Sequence, residues 1–294
     1  MQIVTVLAAP ARADLAEGRL GRLVRAFDGG EPRWLARGVA AEFPAPRWPA
    51  DFDALQATET AEGFDLAIQP AEGRRKRLLV ADMDATMIGQ ECIDELAACA
   101  GVGPRVAEIT ARAMNGELDF EGALTARVAL LAGRPEAMIA KVLAERITYA
   151  PGGRELVATM RAHGAWTALV SGGFTCFTAA VAQTLGFDEH RGNRLLAKDG
   201  VLLGTVGQPV LGREAKLAAL HEVAAAHGLT PADALAVGDG ANDLPMILAA
   251  GTGVALHAKP SVAAQAPIRL DHADLTGLLY LQGYRADEIT GGPA

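Results

Sequence analysis

Leu78-Leu79-Val80-Ala81-Asp82-Met83-Asp84-Ala85-Thr86 decides the reading of this chain. Its first four residues form a short, uniformly apolar run, as expected of a central parallel strand buried on both faces. The run ends in two carboxylates, Asp82 and Asp84. They stand two residues apart, so on extended backbone both side chains face one way. In open parallel sheets ligands bind beyond the carboxyl ends of the strands, which is where this pair falls.

Outward from that stretch the pattern repeats. Apolar runs at 167–170 and 234–237 lead into Ser171-Gly172-Gly173 and into Gly238-Asp239-Gly240-Ala241-Asn242-Asp243. Helical spacing over 155–162, 175–185 and 213–226 separates them, and Lys216 lies near the start of the last. Strand and helix in alternation predict a doubly wound α/β domain with a parallel sheet. Residues 92–146 are too long for a simple crossover and read as a mostly helical cap, placed at about 90–148. Residues 1–73 read as a small α/β unit preceding the larger domain, 74–294. Its strands are expected at 2–8, 34–43 and 64–68, and its helices at 14–27 and 50–57. It shows no catalytic constellation. A regulatory amino-acid-binding module and a packing or dimerisation domain both remain open for it.

Composition narrows the class. Half of the 294 residues are hydrophobic, ample for a buried core. A net charge of −8 argues against a non-specific nucleic-acid binder. The one basic run, Arg74-Arg75-Lys76-Arg77, carries no interleaved aromatics and reads as a solvated linker into the strand at Leu78. No apolar stretch is long enough for a membrane span, and the first residues lack the marks of an export signal. Cys92, Cys99 and Cys176 form no CxxC, which suits a reduced, cytoplasmic protein.

The strand ends hold the parts that phosphate-ester cleavage requires: a nucleophile, a proton donor for the leaving oxygen, and cations for the phosphoryl oxygens. One carboxylate of Asp82 and Asp84 can attack phosphorus while the other serves as acid and then base. Asp239 and Asp243 add hard oxygen ligands, which suit Mg²⁺. Ser171 and the N–H groups of Gly172 and Gly173 can bind phosphate, helped by a helix N-terminus just beyond, and Lys216 adds a positive charge. Each part has a plainer reading: a helix cap for the Asp pair, an ordinary turn for Ser-Gly-Gly, a tight turn for Gly-Asp-Gly, a solvated helix residue for Lys216. Their conjunction along one chain favours the chemistry.

The four segments resemble the motifs of the haloacid-dehalogenase superfamily. More closely, residues 82–96, Met114 through Phe120, 170–174 and 237–243 are similar to the phosphoserine phosphatases. Ala85 departs from that pattern, where Ser is usual. The resemblance implies a haloacid-dehalogenase-like core with a helical cap, and hydrolysis of O-phosphoserine through a phospho-aspartate. Asp82 would be the nucleophile and Asp84 the general acid/base. Mg²⁺ would sit on the Asp82 side chain, the Asp84 carbonyl and Asp239, with Asp243 behind it or on its water. Ser171, Gly172 and Lys216 would bind phosphate, and Asn242 would position substrate. In the cap, Arg127 would grip the substrate carboxylate, Glu91 would receive its ammonium, and Met114 and Phe120 would close the pocket. The expected partner is a small molecule, with neither nucleic acid nor membrane involved and with a homo-oligomer left open. Rival readings are phosphoryl transfer to an alcohol, hydrolysis of another phosphate ester, a phosphorylatable signalling module and a serine-binding regulator. The long cap and the intact Asp84 weigh against the last two.

Overall fold

The computed structural model describes residues 1–114 and 117–291. Its first unit contains β1 (Gln2–Ala8), α1 (Glu17–Ala26), β2 (Arg33–Ala36), β3 (Ala40–Ala45), α2 (Phe52–Ala61) and β4 (Phe64–Pro70). The four strands make an antiparallel sheet in the order β2-β3-β1-β4. One sheet face packs on the two helices, around Val4, Val6, Leu20, Leu23, Phe43 and Leu66. The single strand expected over 34–43 is a hairpin instead. Gly38, at φ 75°, turns the chain back, and the Val39 N–H bonds to the Ala36 carbonyl. Apolar residues crowd the Arg37-Gly38 turn on both sides, which hid it from a pattern reading.

The larger unit begins with β5 (Leu78–Ala81). The chain continues through α3 (Cys92–Cys99), α4 (Gly103–Met114), α5 (Phe120–Ala129) and α6 (Met138–Glu145), then α7 (Gly153–Ala162), β6 (Trp166–Phe174), α8 (Thr175–Leu185) and β7 (Glu189–Asn193). There follow β8 (Leu195–Lys198), β9 (Val201–Val206), α9 (Arg213–Ala226), β10 (Ala234–Gly238) and α10 (Leu244–Ala249). The last elements are β11 (Thr252–Leu256), α11 (Pro260–Ala263), β12 (Ile268–Leu270) and α12 (Gly277–Leu281). Six strands form an all-parallel sheet in the order β12-β11-β10-β5-β6-β7, so β5 is central and β10 and β6 flank it. The sheet is covered on both sides, which is why its strands are apolar at every position. Along β5, Leu78 and Val80 enter one core layer while Leu79 and Ala81 enter the other. β10 divides in the same way, Ala234 and Ala236 against Leu235 and Val237. The carboxyl ends of β5, β6 and β10 therefore meet at one edge, each carrying its motif.

Helices α3 to α6 form the expected cap, but they do not form it alone. β8 and β9 make a hairpin that packs on α5 and continues the cap from a second stretch of chain. Asp199 at φ 51° and Gly200 at φ 75° supply the two left-handed residues of its tight turn, the role Asp-Gly plays in two-residue hairpins. Backbone bonds pin it to the α5–α6 loop: Gly133 N–H to Leu202 O (2.9 Å), Leu202 N–H to Arg134 O (2.9 Å) and Glu136 N–H to Gly200 O (2.8 Å).

The first unit is fastened to the second. Leu7, Leu35, Ala40 and Ala67, on the sheet face away from α1 and α2, join the main core. The buried Asp65 carboxylate accepts from the amides of Asp271, His272 and Ala273, with shortest distances of 2.8, 3.1 and 2.7 Å. The basic run is fixed in structure where a solvated linker was expected. Arg74 donates to Glu42 and to the Leu281 carbonyl, Arg75 stacks over Tyr284 and meets Glu288, and Lys76 Nζ donates to the Ala232 carbonyl. All three cysteines are free thiols. Among the described residues no helix is long and apolar enough to cross a membrane.

Candidate active site

Asp82 follows directly on β5 and is 5% exposed. Lys216, from the first turns of α9, points under the sheet edge at 2% exposure and sets Nζ 2.6 Å from Asp82 Oδ1. The same ammonium contacts Asp243, which is completely buried at the start of α10. Asp243 spends its other oxygen on the Gly240 N–H, 3.0 Å away, so its side chain braces the β10–α10 turn rather than capping the helix. That packing explains Gly238: a methyl group there would overlap the Asp243 carboxyl carbon. One oxygen from each of Asp82, Asp239 and Asp243 falls within 4.8 Å of the others. Three hard oxygen donors so close together form a fitting set for a divalent cation.

Crowding shifts these groups in the direction that invites a cation. Burial, and next the Asp243 charge, raises Asp82 well above the ordinary carboxylate value, with Lys216 opposing. Burial works against the Lys216 ammonium, but Asp82 and Asp243 outweigh it and hold its pKa above that of an ordinary lysine. Burial followed by Asp243 also raises Asp239. Asp84 rises to about 6, chiefly by burial, and its Oδ1 accepts weakly from the Cys92 N–H at 3.4 Å. A carboxyl in that range holds a proton near neutrality and releases it readily.

Ser171 ends the apolar part of β6, and its Oγ accepts from the Gly173 N–H at 2.9 Å. That N–H was expected to face phosphate and is occupied in this state. Gly172 and Gly173 leave little room for side chains: Cβ atoms there would stand 3.0 Å from Phe120 and from Asp84 Oδ2, respectively. Asn193, 1% exposed, holds the loop from behind. Its Nδ2 donates to Gly172 O (2.8 Å) and Leu211 O (3.2 Å), and its Oδ1 accepts from the Leu211 N–H (2.7 Å). No motif marked it.

Above this floor lies a cleft of about 510 Å³ between core and cap. Glu91, Phe120 and Arg127 line it from the cap, facing Asp82, Asp84, Ser171, Gly172, Asp239 and Asn242. The structure thus brings together the expected residues, except that the Met114 side chain, with Asn115 and Gly116, lies outside the described residues. Glu91 stands at the rim with one side open to solvent. Protein crowds the rest of it, and that desolvation, then Asp84 and Asp239, lifts it to about 7. Burial lowers Arg127, while Asp94 and Glu91 hold it up. Its Nε donates to Ala123 O at 3.2 Å, one helical turn back. Lys259, which the sequence reading passed over, closes the rim from the core side. Its N–H approaches the Asp239 carbonyl at 3.4 Å, and its charge favours the ionised form of Glu91.

Known proteins resemble this chain in sequence and in fold. The family model of the haloacid dehalogenase-like hydrolases matches residues 79–248. A phosphoserine phosphatase of Streptomyces coelicolor is 44% identical over 238 residues, covering 80% of this chain and 58% of the relative. One from Streptococcus thermophilus is 46% identical over 200 residues, covering 68% of this chain and 93% of the relative. The chain thus spans little more than half of the first relative and nearly all of the second. Among solved structures, a haloacid-dehalogenase-family hydrolase of Salmonella enterica serovar Typhi superposes with a TM-score of 0.87 at 28% identity, covering 96% of this chain and 98% of its own. The chain belongs to the haloacid dehalogenase-like hydrolase family.

Proposed function

We propose that this chain is a phosphoserine phosphatase, hydrolysing O-phosphoserine to serine and phosphate. The observation that carries this reading is the pairing, across one cleft, of a phosphoryl-transfer floor with two oppositely charged cap residues. The floor presents Asp82, Asp84, Lys216 and Ser171, and the cap presents Arg127 and Glu91. Phosphoserine carries a carboxylate and an ammonium to match that pair. The named relatives act on the same substrate.

The Asp82 carboxylate attacks phosphorus as the bond from phosphorus to the serine oxygen breaks. Asp84, protonated, gives its proton to that departing oxygen. Water then attacks the phospho-aspartate, Asp84 takes the proton, and Asp82 is released with phosphate. Lys216 stays charged beside Asp82 and offsets the negative charge gathered there. Asp82 and Asp239 side chains with the Asp84 carbonyl would hold Mg²⁺, and Asp243 would steady Lys216 and the turn. When bound, that cation neutralises phosphoryl oxygens. In the cap, Arg127 takes the substrate carboxylate with its planar fork, Glu91 takes the ammonium, and Phe120 excludes water over Gly172. A cytoplasmic setting suits the three free thiols.

The test compares phosphoserine with p-nitrophenyl phosphate, which has no carboxylate. Arg127→Ala lowers kcat/KM for phosphoserine by about 10–150-fold, the cost of a lost hydrogen bond to a charged group. For p-nitrophenyl phosphate the loss is small, and Arg127→Lys restores only part of the difference. Equal losses on both substrates would assign Arg127 to phosphate or to the fold.

A further inference from the structure

A second cavity, of about 690 Å³, opens on the far side of the catalytic loop. Four segments from distinct parts of the molecule wall it. They are the β1–α1 loop at Ala9-Pro10-Ala11, the loop after Asp84 from Ala85 to Gly89, the return from the cap at 148–151, and the core segments around His257 and Asp274. Its size lies within the range of about 300–1,000 Å³ usual for small-molecule sites, and it sits where units meet, as such sites often do.

The chemistry of the walls selects a class of ligand. Most of the lining is small and apolar, supplied by alanines, prolines, Ile88, Leu256 and Leu275. Among the described residues no lysine or arginine lines it, whereas Asp274 does. Asp274 Oδ1 is satisfied by Thr276, through its N–H at 2.9 Å and its Oγ1 at 2.5 Å. Its Oδ2 has no hydrogen-bond donor among the described residues. His257 and His272 each place Nε2 on a backbone carbonyl, Ala273 O and Thr60 O, so neither ring offers that nitrogen to the cavity. A separate observation comes from Thr86. It is 1% exposed and lines the same cavity, and its Oγ1 finds no partner among the described residues. A buried hydroxyl left unpaired costs free energy and marks this wall of the cavity as polar where the protein supplies no partner.

We propose that this cavity is a second ligand site, distinct from the catalytic cleft, for a small amine with an apolar body. The ammonium pairs with Asp274 Oδ2 and the body fills the apolar space between Pro10, Ile88 and Leu275. A carboxylate in the same place would face Asp274 with no lysine or arginine among the described residues to offset it. Because the cavity wall includes Ala85 and Thr86, an occupant would touch the loop that carries Asp84, the N-terminal unit and the return from the cap at once.

Calorimetric titration of the full chain with benzylamine, benzyl alcohol and benzoate tests this. Benzylamine binds with a Kd on the order of 1 mM, as a ligand of its size would, and benzoate binds at least roughly tenfold more weakly. Asp274→Asn removes the preference for the amine. Ala11→Trp, on an exposed turn that lines the cavity, obstructs it and removes binding of benzylamine and benzyl alcohol alike, with a wild-type Tm showing that the fold is kept. Should Asp274→Asn fail to fold, Ala11→Trp decides the matter. The proposal is overturned if benzylamine does not bind, if benzoate binds as well, or if Ala11→Trp binds like the wild type. It is equally overturned if Glu91→Gln abolishes binding while Asp274→Asn leaves it intact, since the amine would then sit in the catalytic cleft.

Discussion

Replacing Lys216 with Met tests the electrostatics under the site more directly than any change at its surface. Met keeps the length and packing of the side chain while removing the charge. In the metal-free protein, Asp82 and Asp243 would then confront each other with no cation between them, in a place where Asp243 is 0% and Asp82 5% exposed. Removing one member of a buried ion pair costs about 3–5 kcal/mol, mostly the penalty of the charge left behind. In a protein of 294 residues, with an unfolding entropy of about 2.1 cal/mol/K per residue, each kcal/mol moves Tm by roughly 1.6 °C, so a fall of about 5–8 °C is expected in EDTA at pH 7.5. The deficit should depend on pH with a definite sign. Asp82 already has a folded pKa raised above its unfolded value, and loss of Lys216 raises it further. A carboxylate shifted upward binds more protons folded than unfolded, so the folded state gains as pH falls. The Lys216→Met deficit therefore narrows between pH 8 and pH 5, and it narrows again on adding Mg²⁺ at pH 7.5, when a second cation replaces the lost one. Thermal melts across pH, with EDTA and with Mg²⁺, read all three effects. A Tm within about 2 °C of the wild type in EDTA at pH 7.5 would show that these carboxylates are not a coupled buried cluster.

Other outcomes follow from the same geometry. Asp84→Asn removes the acid/base proton and lowers kcat by about 10²–10⁴-fold, with release of p-nitrophenol affected less because that leaving group needs little protonation. In EDTA the wild-type protein itself becomes more stable from pH 7.5 down to about 5. Asp84 at about 6 and Glu91 at about 7 both lie above their unfolded values, so folding takes up protons in that window. A urea midpoint that is flat or falls over that range would contradict this. Asp65→Ala strands three amide donors at the junction of the units and costs about 2–4 kcal/mol in urea unfolding. Because neither Asp65 nor its partners at 271–273 line the cleft, kcat/KM for phosphoserine should stay within about twofold.

The strands that carry the chemistry were legible because burial on both faces leaves a simple signature. Leu78–Ala81 is apolar at every position, and the residues after it change character at once. Chemical type also survived translation into space: Asp82, Ser171, Lys216 and Asp239 come from four separate elements and meet at one sheet edge. What was less legible depends on turns and long-range partners. The hairpin at Gly38 was missed because alanines and apolar residues flank it on both sides. The β8–β9 hairpin carries an Asp-Gly turn followed by the apolar run Val201-Leu202-Leu203, a hairpin signal in the sequence itself. Asn193 and Asp65 have no local signature at all, since an Asn or Asp that binds backbone far away in sequence looks like any polar residue near a strand end. The arginines at 74 and 75 read as solvent-facing because their partners, Glu42 and Glu288, are distant in sequence.

The two-part cap bears on how specificity could be exchanged among proteins of this architecture. Helices α3 to α6 form most of the cap, yet three backbone bonds tie the α5–α6 loop to a hairpin encoded some sixty residues later. A graft of the helical segment alone would carry Glu91, Phe120 and Arg127 into a host whose own hairpin has the wrong edge to receive the loop. The host would show new lining residues on a cap that no longer seats. Moving the pocket as a unit requires transplanting both stretches together, with the Asp199-Gly200 turn kept so that the hairpin presents Leu202 in register.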